Sequence, residues 1–202
     1  MRPEILKHLR KDKKLAPALN TGSAHAPTQA ENVALYLCLS IISQQLSTKV
    51  ARIIGDRFLE LYAGAEPSCQ HILQTETEIL RSIGLSGAKA QYIQNVCAFF
   101  IEHKLNDEAL HRMNDEEVIA LLTQIKGVGR WTVEMLLMFA LGREDVFAAD
   151  DFGVQQAMIK TYGLQQYSKK VLRSEMLAIS ENWRPYRTYA CMALWSWKDS
   201  KN

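Results

Sequence analysis

Neither sign of charge dominates this 202-residue chain: 24 Lys and Arg stand against 22 Asp and Glu, a formal net charge of +2. That balance excludes a histone-like polycation but permits a local basic face that the net value conceals. Cys38, Cys69, Cys97 and Cys191 are too widely spaced for a zinc or iron–sulfur pattern and read as reduced core thiols. No run of 18 apolar residues suggests a membrane span, and the opening MRPEILKHLRKDKKL is too charged for the apolar part of a signal peptide. The expectation is a soluble protein, cytoplasmic or nucleoid-associated in a bacterium and nuclear in a eukaryote. Sustained period-2 alternation and Asn-Gly or Asp-Gly hairpin turns are missing too, which argues against a sheet. Internal repeats and low-complexity tracts are absent.

What the chain does have is apolar text, 48% of its residues, enough for a sizeable core and incompatible with general disorder. Its length suits one domain or two small interlocked ones. Helical periodicity runs throughout. Ile5–Lys14 reads as a short helix with solvated lysines, and 16–29, with Pro17, Gly22 and Pro27, as a connector. Further helices are expected at Ala30–Ser43, Ser47–Ala63, Thr75–Ile83, Gly87–His103, Asp115–Thr123, Trp131–Leu141, Phe152–Tyr162, Lys169–Ser180 and Pro185–Trp197. Ser86, Asn114 and Ser168 are the expected N-caps. The pattern predicts an all-α protein of roughly nine or ten helices.

Chemistry concentrates between Ile125 and Asp151, IKGVGRWTVEMLLMFALGREDVFAADD. One helix stops, Gly127 and Gly129 make a tight turn, and an apolar helix starts at once. Glycines allow positive φ and close approach of a foreign backbone, and a fresh helix start points unpaired N–H groups outward. With Lys126, Arg130 and the Thr132 hydroxyl, this makes a site for a DNA phosphate, contacted without reading sequence. Taken alone, Gly-x-Gly also fits an ordinary helix–helix turn, and no Gly-Lys-Ser/Thr follows to make a nucleotide loop. Beyond the apolar helix come Asp150 and Asp151, where a loop hands over to a helix. Successive side chains point in different directions, so one of the pair caps the helix while the other faces a pocket.

The hairpin, the apolar helix and the acidic loop resemble the helix-hairpin-helix DNA glycosylases. Gly-Val-Gly-Arg-Trp-Thr (127–132) and Val-Phe-Ala-Ala-Asp-Asp (146–151) are similar to the alkylated-base branch, 3-methyladenine DNA glycosylase II. The likeness extends to Ile41–Ile42–Ser43–Gln44–Gln45–Leu46–Ser47, to Gly84–Leu85–Ser86 with Lys89, Ala90, Tyr92 and Ile93, and to Trp183–Arg184–Pro185–Tyr186–Arg187 with Tyr189, Ala190 and Trp195. It implies two interlocked helical subdomains with the active site in the cleft between them. Residues 1–29 would pack with the C-terminal helices, 30–125 form the central subdomain, 126–132 the hairpin, and 133–202 carry the catalytic Asp. The β-containing region that precedes the core in larger bacterial members is not expected here, so any contribution it makes to the pocket is absent or comes from 16–29.

The resemblance assigns the essential carboxylate to Asp151, with Asp150 as a capping neighbour. Some relatives carry a nucleophilic lysine directly after Gly-x-Gly-Arg; here that position is Trp131, which implies a monofunctional enzyme using water. Trp131 offers a π face to a flipped cationic base, or else packs in the core. Gln44 joins it in the base pocket, and Gln45 or Leu46, followed by Ser47, fills the gap left by the flipped nucleotide. Lys126, Gly127, Gly129, Arg130 and Thr132 hold DNA. Trp183, Trp195 and Trp197 read as core and interface packing. No cofactor and no catalytic metal are expected, and the partner is duplex DNA containing alkylated bases, bound by a monomer with no membrane role. Two rivals remain: a glycosylase for another lesion class, and a non-catalytic DNA-binding scaffold using the hairpin alone.

Overall fold

The computed structural model describes residues 1–20, 27 and 29–200. Among them the backbone forms thirteen α-helices and a 3-10 turn, with no strand beyond an isolated antiparallel bridge between Gln29 and Leu141. The protein is all-α. Two compact units divide the chain: Met1–Gln29 with Leu137–Asn202, and Ala30–Leu136. No helix among the described residues is long and apolar enough to cross a membrane.

The first unit begins with α1 (Pro3–Leu9), whose Pro3 sits at a helix start, where its missing N–H costs nothing. The helix stops short of the expected Lys14 because Oδ1 of Asp12 accepts from the amides of Lys14 (3.0 Å) and Leu15 (3.3 Å), which turns the chain instead. Four residues of the expected connector are helical, α2 (Ala16–Leu19), with Pro17 tolerated in the first turn. The connector's residues 21–26 and 28 lie outside the described residues.

In the second unit, α3 (Val33–Ser43) is capped by Asn32 and buried on most sides, with Leu37, Cys38 and Ile41 fully covered. It is followed by α4 (Thr48–Glu60), α5 (Cys69–Gln74), α6 (Thr77–Ser82), α7 (Gly87–Glu102), α8 (Asp107–Arg112), α9 (Asp115–Leu122) and α10 (Arg130–Phe139), within which the division between units falls. α3, α5 and α6 all pack on α7, which buries Ala90, Ile93, Val96, Cys97 and Phe100. Ser86 caps α7 and Asn114 caps α9, as the sequence predicts, and Asn114 does so in a reciprocal capping box with Glu117. The six-residue α5 and α8 escape the sequence analysis because they are too short to display a period; only their caps, Ser68 and Asn106, mark them.

The first unit resumes with α11 (Phe152–Tyr162), which ends on a left-handed Gly163, then α12 (Lys169–Ser180), the 3-10 turn (Glu181–Trp183) and α13 (Arg187–Asp199). Ser168 stands at the start of α12, but its hydroxyl makes no capping bond. α13 packs on α2 and α11. Asp12 ties the early segment to the late one: its Oδ2 accepts from the Tyr162 hydroxyl (2.6 Å) and from Nε1 of Trp183 (2.9 Å). Burial, and then Asp12 itself, push the Tyr162 phenol above its ordinary range, so it stays a donor. The four cysteines are free thiols, Cys38, Cys97 and Cys191 buried and Cys69 half-buried.

Replacing Asp12 by Ala strands the Tyr162 and Trp183 donors and both turn amides. Urea titration should show a loss of about 2–4 kcal/mol, and Asp12→Asn, which keeps acceptor oxygen, should lose less.

Candidate active site

Asp151 is the N-cap of α11. Its backbone is extended and its Oδ1 accepts from the Val154 amide at 2.8 Å, satisfying one of the donors that every helix start leaves open. The same oxygen accepts from Nε1 of Trp195 at 2.7 Å, a contact reaching across 44 residues from α13. The residue is only 9% exposed. Capping therefore falls to Asp151 itself and not to Asp150, which is half-exposed and pairs with Arg173 (Oδ1 to Nε, 3.2 Å). The expectation gives the cap to Asp150; the extended backbone of position 151 gives it to Asp151 instead.

Gly153 makes this contact possible. A Cβ there would lie 2.8 Å from Cδ1 of Trp195, 3.0 Å from its Nε1 and 3.1 Å from Oδ1 of Asp151, so any larger residue would force the indole and carboxylate to shift. Trp195 also lies against Phe139, ring centroids 5.9 Å apart. Trp195 is expected in core and interface packing; it is half-buried, on the side of α13 opposite buried Trp197, and its indole contact with Asp151 is not foreseen by the sequence. Phe152, next to Asp151, was also passed over; it is 70% exposed.

The loop that delivers Asp151 is lashed to the first turn of α13. Arg187 donates from Nε to Oδ1 of Asp145 (2.7 Å) and from Nη2 to the Asp145 carbonyl (2.6 Å). The Thr188 hydroxyl donates to the Arg143 carbonyl (2.7 Å) and accepts from the Val146 amide (3.0 Å). The Tyr189 hydroxyl donates to Glu144 (2.8 Å), which also takes Arg2 on both oxygens at 2.7 Å. Nε2 of Gln155 holds the Ala149 carbonyl (2.9 Å) from the α11 side. Every residue from Arg143 to Val146 is thus fixed before the chain reaches Asp151.

The second unit carries the other predicted residues. Gly127 takes φ +105°, and a Cβ on it would sit 2.3 Å from Cγ of Tyr92, so glycine is required twice over. A Cβ on Gly129 would meet nothing within 4 Å, which leaves the start of α10 open to an approaching group. Lys126 is exposed, and its carbonyl accepts from Nδ2 of Asn95 at 3.2 Å. Arg130 differs from expectation: its Nε pairs with buried Glu134 (3.0 Å) and its Nη2 with Glu116 (2.9 Å), so its charge is committed inside the hairpin. Thr132 is 4% exposed, and its side chain belongs to the core instead of the phosphate turn, because the third position of α10 faces inward. Trp131 is 43% exposed, which sets aside the core alternative.

Between α3 and α4, Gln44 is half-buried, Gln45 is exposed with φ +59°, and Leu46 is half-buried. Ser47 caps α4 by accepting from the Val50 amide at 3.4 Å. Nζ of Lys89 donates to the carbonyls of Ile42 (2.8 Å) and Gln44 (2.7 Å), a contact the sequence did not reveal. Burial pushes that ammonium below its ordinary value.

Comparison with known proteins agrees with this geometry. The HhH-GPD superfamily base excision DNA repair protein model matches residues 38–184. DNA-3-methyladenine glycosylase 1 of Schizosaccharomyces pombe is 36% identical over 161 residues, covering 79% of this chain and 69% of that protein. The solved structure of the S. pombe 3-methyladenine DNA glycosylase Mag1 in complex with abasic DNA superposes with a TM-score of 0.82 at 32% identity, covering 98% of this chain and 97% of that one. A DNA-3-methyladenine glycosidase from Bacillus halodurans gives a TM-score of 0.83 at 34% identity over 96% of this chain and 88% of that one. The chain belongs to the helix-hairpin-helix (HhH-GPD) superfamily of base excision DNA repair proteins.

Proposed function

We propose that the protein is a monofunctional DNA N-glycosylase. It hydrolyses the bond between deoxyribose and an alkylated purine, chiefly 3-methyladenine, after flipping the nucleotide out of the duplex. The observation that carries this reading is Asp151, a buried carboxylate whose orientation is set through one oxygen by the Val154 amide and the Trp195 indole. Departure of the base builds positive charge on the sugar. A carboxylate held away from bulk water stabilises that charge or steers the attacking water. An alkylated purine already carries positive charge and leaves readily, so no strong general acid is needed. The names of the relatives support the class of base, and the abasic DNA bound to Mag1 supports duplex DNA as the partner.

In this reading the exposed ring of Trp131 stacks on the cationic base, with Gln44 beside it. Gln45, at the exposed tip of its loop, fills the space the nucleotide vacates. Lys126 and the amides at Gly129 and the start of α10 hold a phosphate, while the Val128 amide closes the turn onto the Ile125 carbonyl (3.0 Å) and Arg130 braces it through Glu116 and Glu134. The enzyme acts as a monomer without a cofactor, in the compartment that holds the genome.

Asp151→Asn keeps Oδ1 as acceptor for both donors, so the fold and the cap survive while the charge is lost. Single-turnover release of 3-methyladenine should fall at least about a hundredfold with affinity for abasic duplex unchanged; undiminished release would overturn the assignment. Gly153→Ala should displace Trp195 from Asp151 and slow release roughly ten- to a hundredfold, again at unchanged DNA affinity; a wild-type rate would remove the orienting role of the indole. Sodium borohydride added to wild-type enzyme and lesion-bearing duplex should trap no covalent adduct, since Trp131 supplies no amine. A trapped adduct would mean a lyase.

A further inference from the structure

Lys89, Tyr92 and Asn95 recur every third residue on α7, which places them on one face of that helix. Each meets a loop. Lys89 holds the carbonyls of Ile42 and Gln44 at 2.8 and 2.7 Å. The Tyr92 ring occupies the space over Gly127 where a side chain would otherwise stand, its Cγ 2.3 Å from an ideal Cβ. Asn95 donates to the Lys126 carbonyl at 3.2 Å. The loop carrying Gln45 and the turn carrying Lys126 and Gly127 therefore rest on one stripe of one rigid helix, inside a single unit.

The Lys89 contacts fall where they matter for the loop. Ile42 and Gln44 end α3, where carbonyls lack intrahelical partners and a cation complements the helix dipole. The next residue, Gln45, adopts φ +59°, a left-handed conformation that side chains other than glycine rarely take. Such a conformation persists only where the surroundings hold it, and the carbonyl immediately before it is held by Lys89. Along α7, Lys89 and Asn95 stand about 9 Å apart. That is of the order of two to three nucleotide steps at ~3.4 Å each.

We propose that Lys89 is a positioning residue: it fixes the Gln45 loop to the stripe of α7 that also mounts the hairpin, and so sets the separation between the side chain inserted into the duplex and the phosphate held by the turn. The assignment rests on the reading of those two segments as DNA contacts given under Proposed function. Insertion and phosphate grip then act as one rigid gauge instead of two independent contacts.

The test uses the full chain with Lys89→Met, Lys89→Arg, Gln45→Ala and the double variant K89M/Q45A. Duplex unstacking is read by stopped-flow fluorescence of 2-aminopurine placed beside the lesion. Release of 3-methyladenine is measured from a paired duplex and from an unpaired bubble, and melting temperatures are recorded for every variant. K89M should lose unstacking and release from paired duplex by about tenfold. It should keep its melting profile, its affinity for undamaged duplex and its release from the bubble, where the base is already out of the stack. K89R, which also donates twice, should recover most of the loss. Q45A should add nothing to K89M, because both remove one event. Wild-type unstacking by K89M, equal losses on duplex and bubble, or multiplying losses in the double variant would each overturn the proposal. Unstacking needs no excision, so a wild type that unstacks DNA but releases no base would sink the glycosylase reading and leave the Lys89 assignment standing. A wild type that neither unstacks nor releases would sink both.

Discussion

Oδ1 of Asp151 accepts from two donors that arrive by different routes: the Val154 amide from the same helix start, and the Trp195 indole from α13. The first is local and would form in many helices. The second depends on α11 and α13 being packed correctly, because the indole belongs to a helix 44 residues further along the chain. An N-cap alone fixes a carboxylate relative to its own helix; the added indole fixes it relative to the rest of its unit. Two-sided support of this kind holds a carboxylate to within about half an ångström of one position, the precision that a functional site requires.

α13 does more than donate that bond. Arg187, Thr188 and Tyr189, three successive residues at its start, each hold a different part of the loop from Arg143 to Val146. Trp195 follows about 12 Å further along the same helix axis. One helix therefore secures both the approach to Asp151 and its final orientation. The small residue at Gly153 lets these parts meet, since the carboxylate and the indole crowd the place where its side chain would be. The contacts that hold this unit together are also the ones that orient the Asp151 carboxylate.

Local features were legible in the sequence, and relational ones were not. N-caps, the Gly-Val-Gly turn and the helix periods depend on residues a few positions apart, so Asn114, Ser86, Gly127 and the start of α10 are readable directly. The all-α class followed from the same local periods. α5 and α8 fell below the length at which a period shows. Thr132 and Arg130 were assigned to a phosphate because they neighbour the turn in sequence. The inward face of α10 takes the first, and Glu116, fourteen residues upstream, takes the second. Lys89 and Trp195 belong to the motifs that carry the family resemblance, yet the partner of each lies more than forty residues away, and no single-sequence argument supplies such a pairing.

The pairing of Arg130 with Glu116 and Glu134 changes the electrostatic character of the hairpin. A loop that grips phosphate with uncompensated cations displaces condensed counterions from DNA, and its hold weakens steeply as salt rises. Here the guanidinium is ion-paired with two carboxylates of its own unit, so the proposed phosphate contact falls to amide dipoles and Lys126. Amide dipoles release few ions on contact. On the proposed reading, a phosphate seated there would depend less on ionic strength than one gripped by unpaired arginines, with Lys126 as the cation that still senses salt.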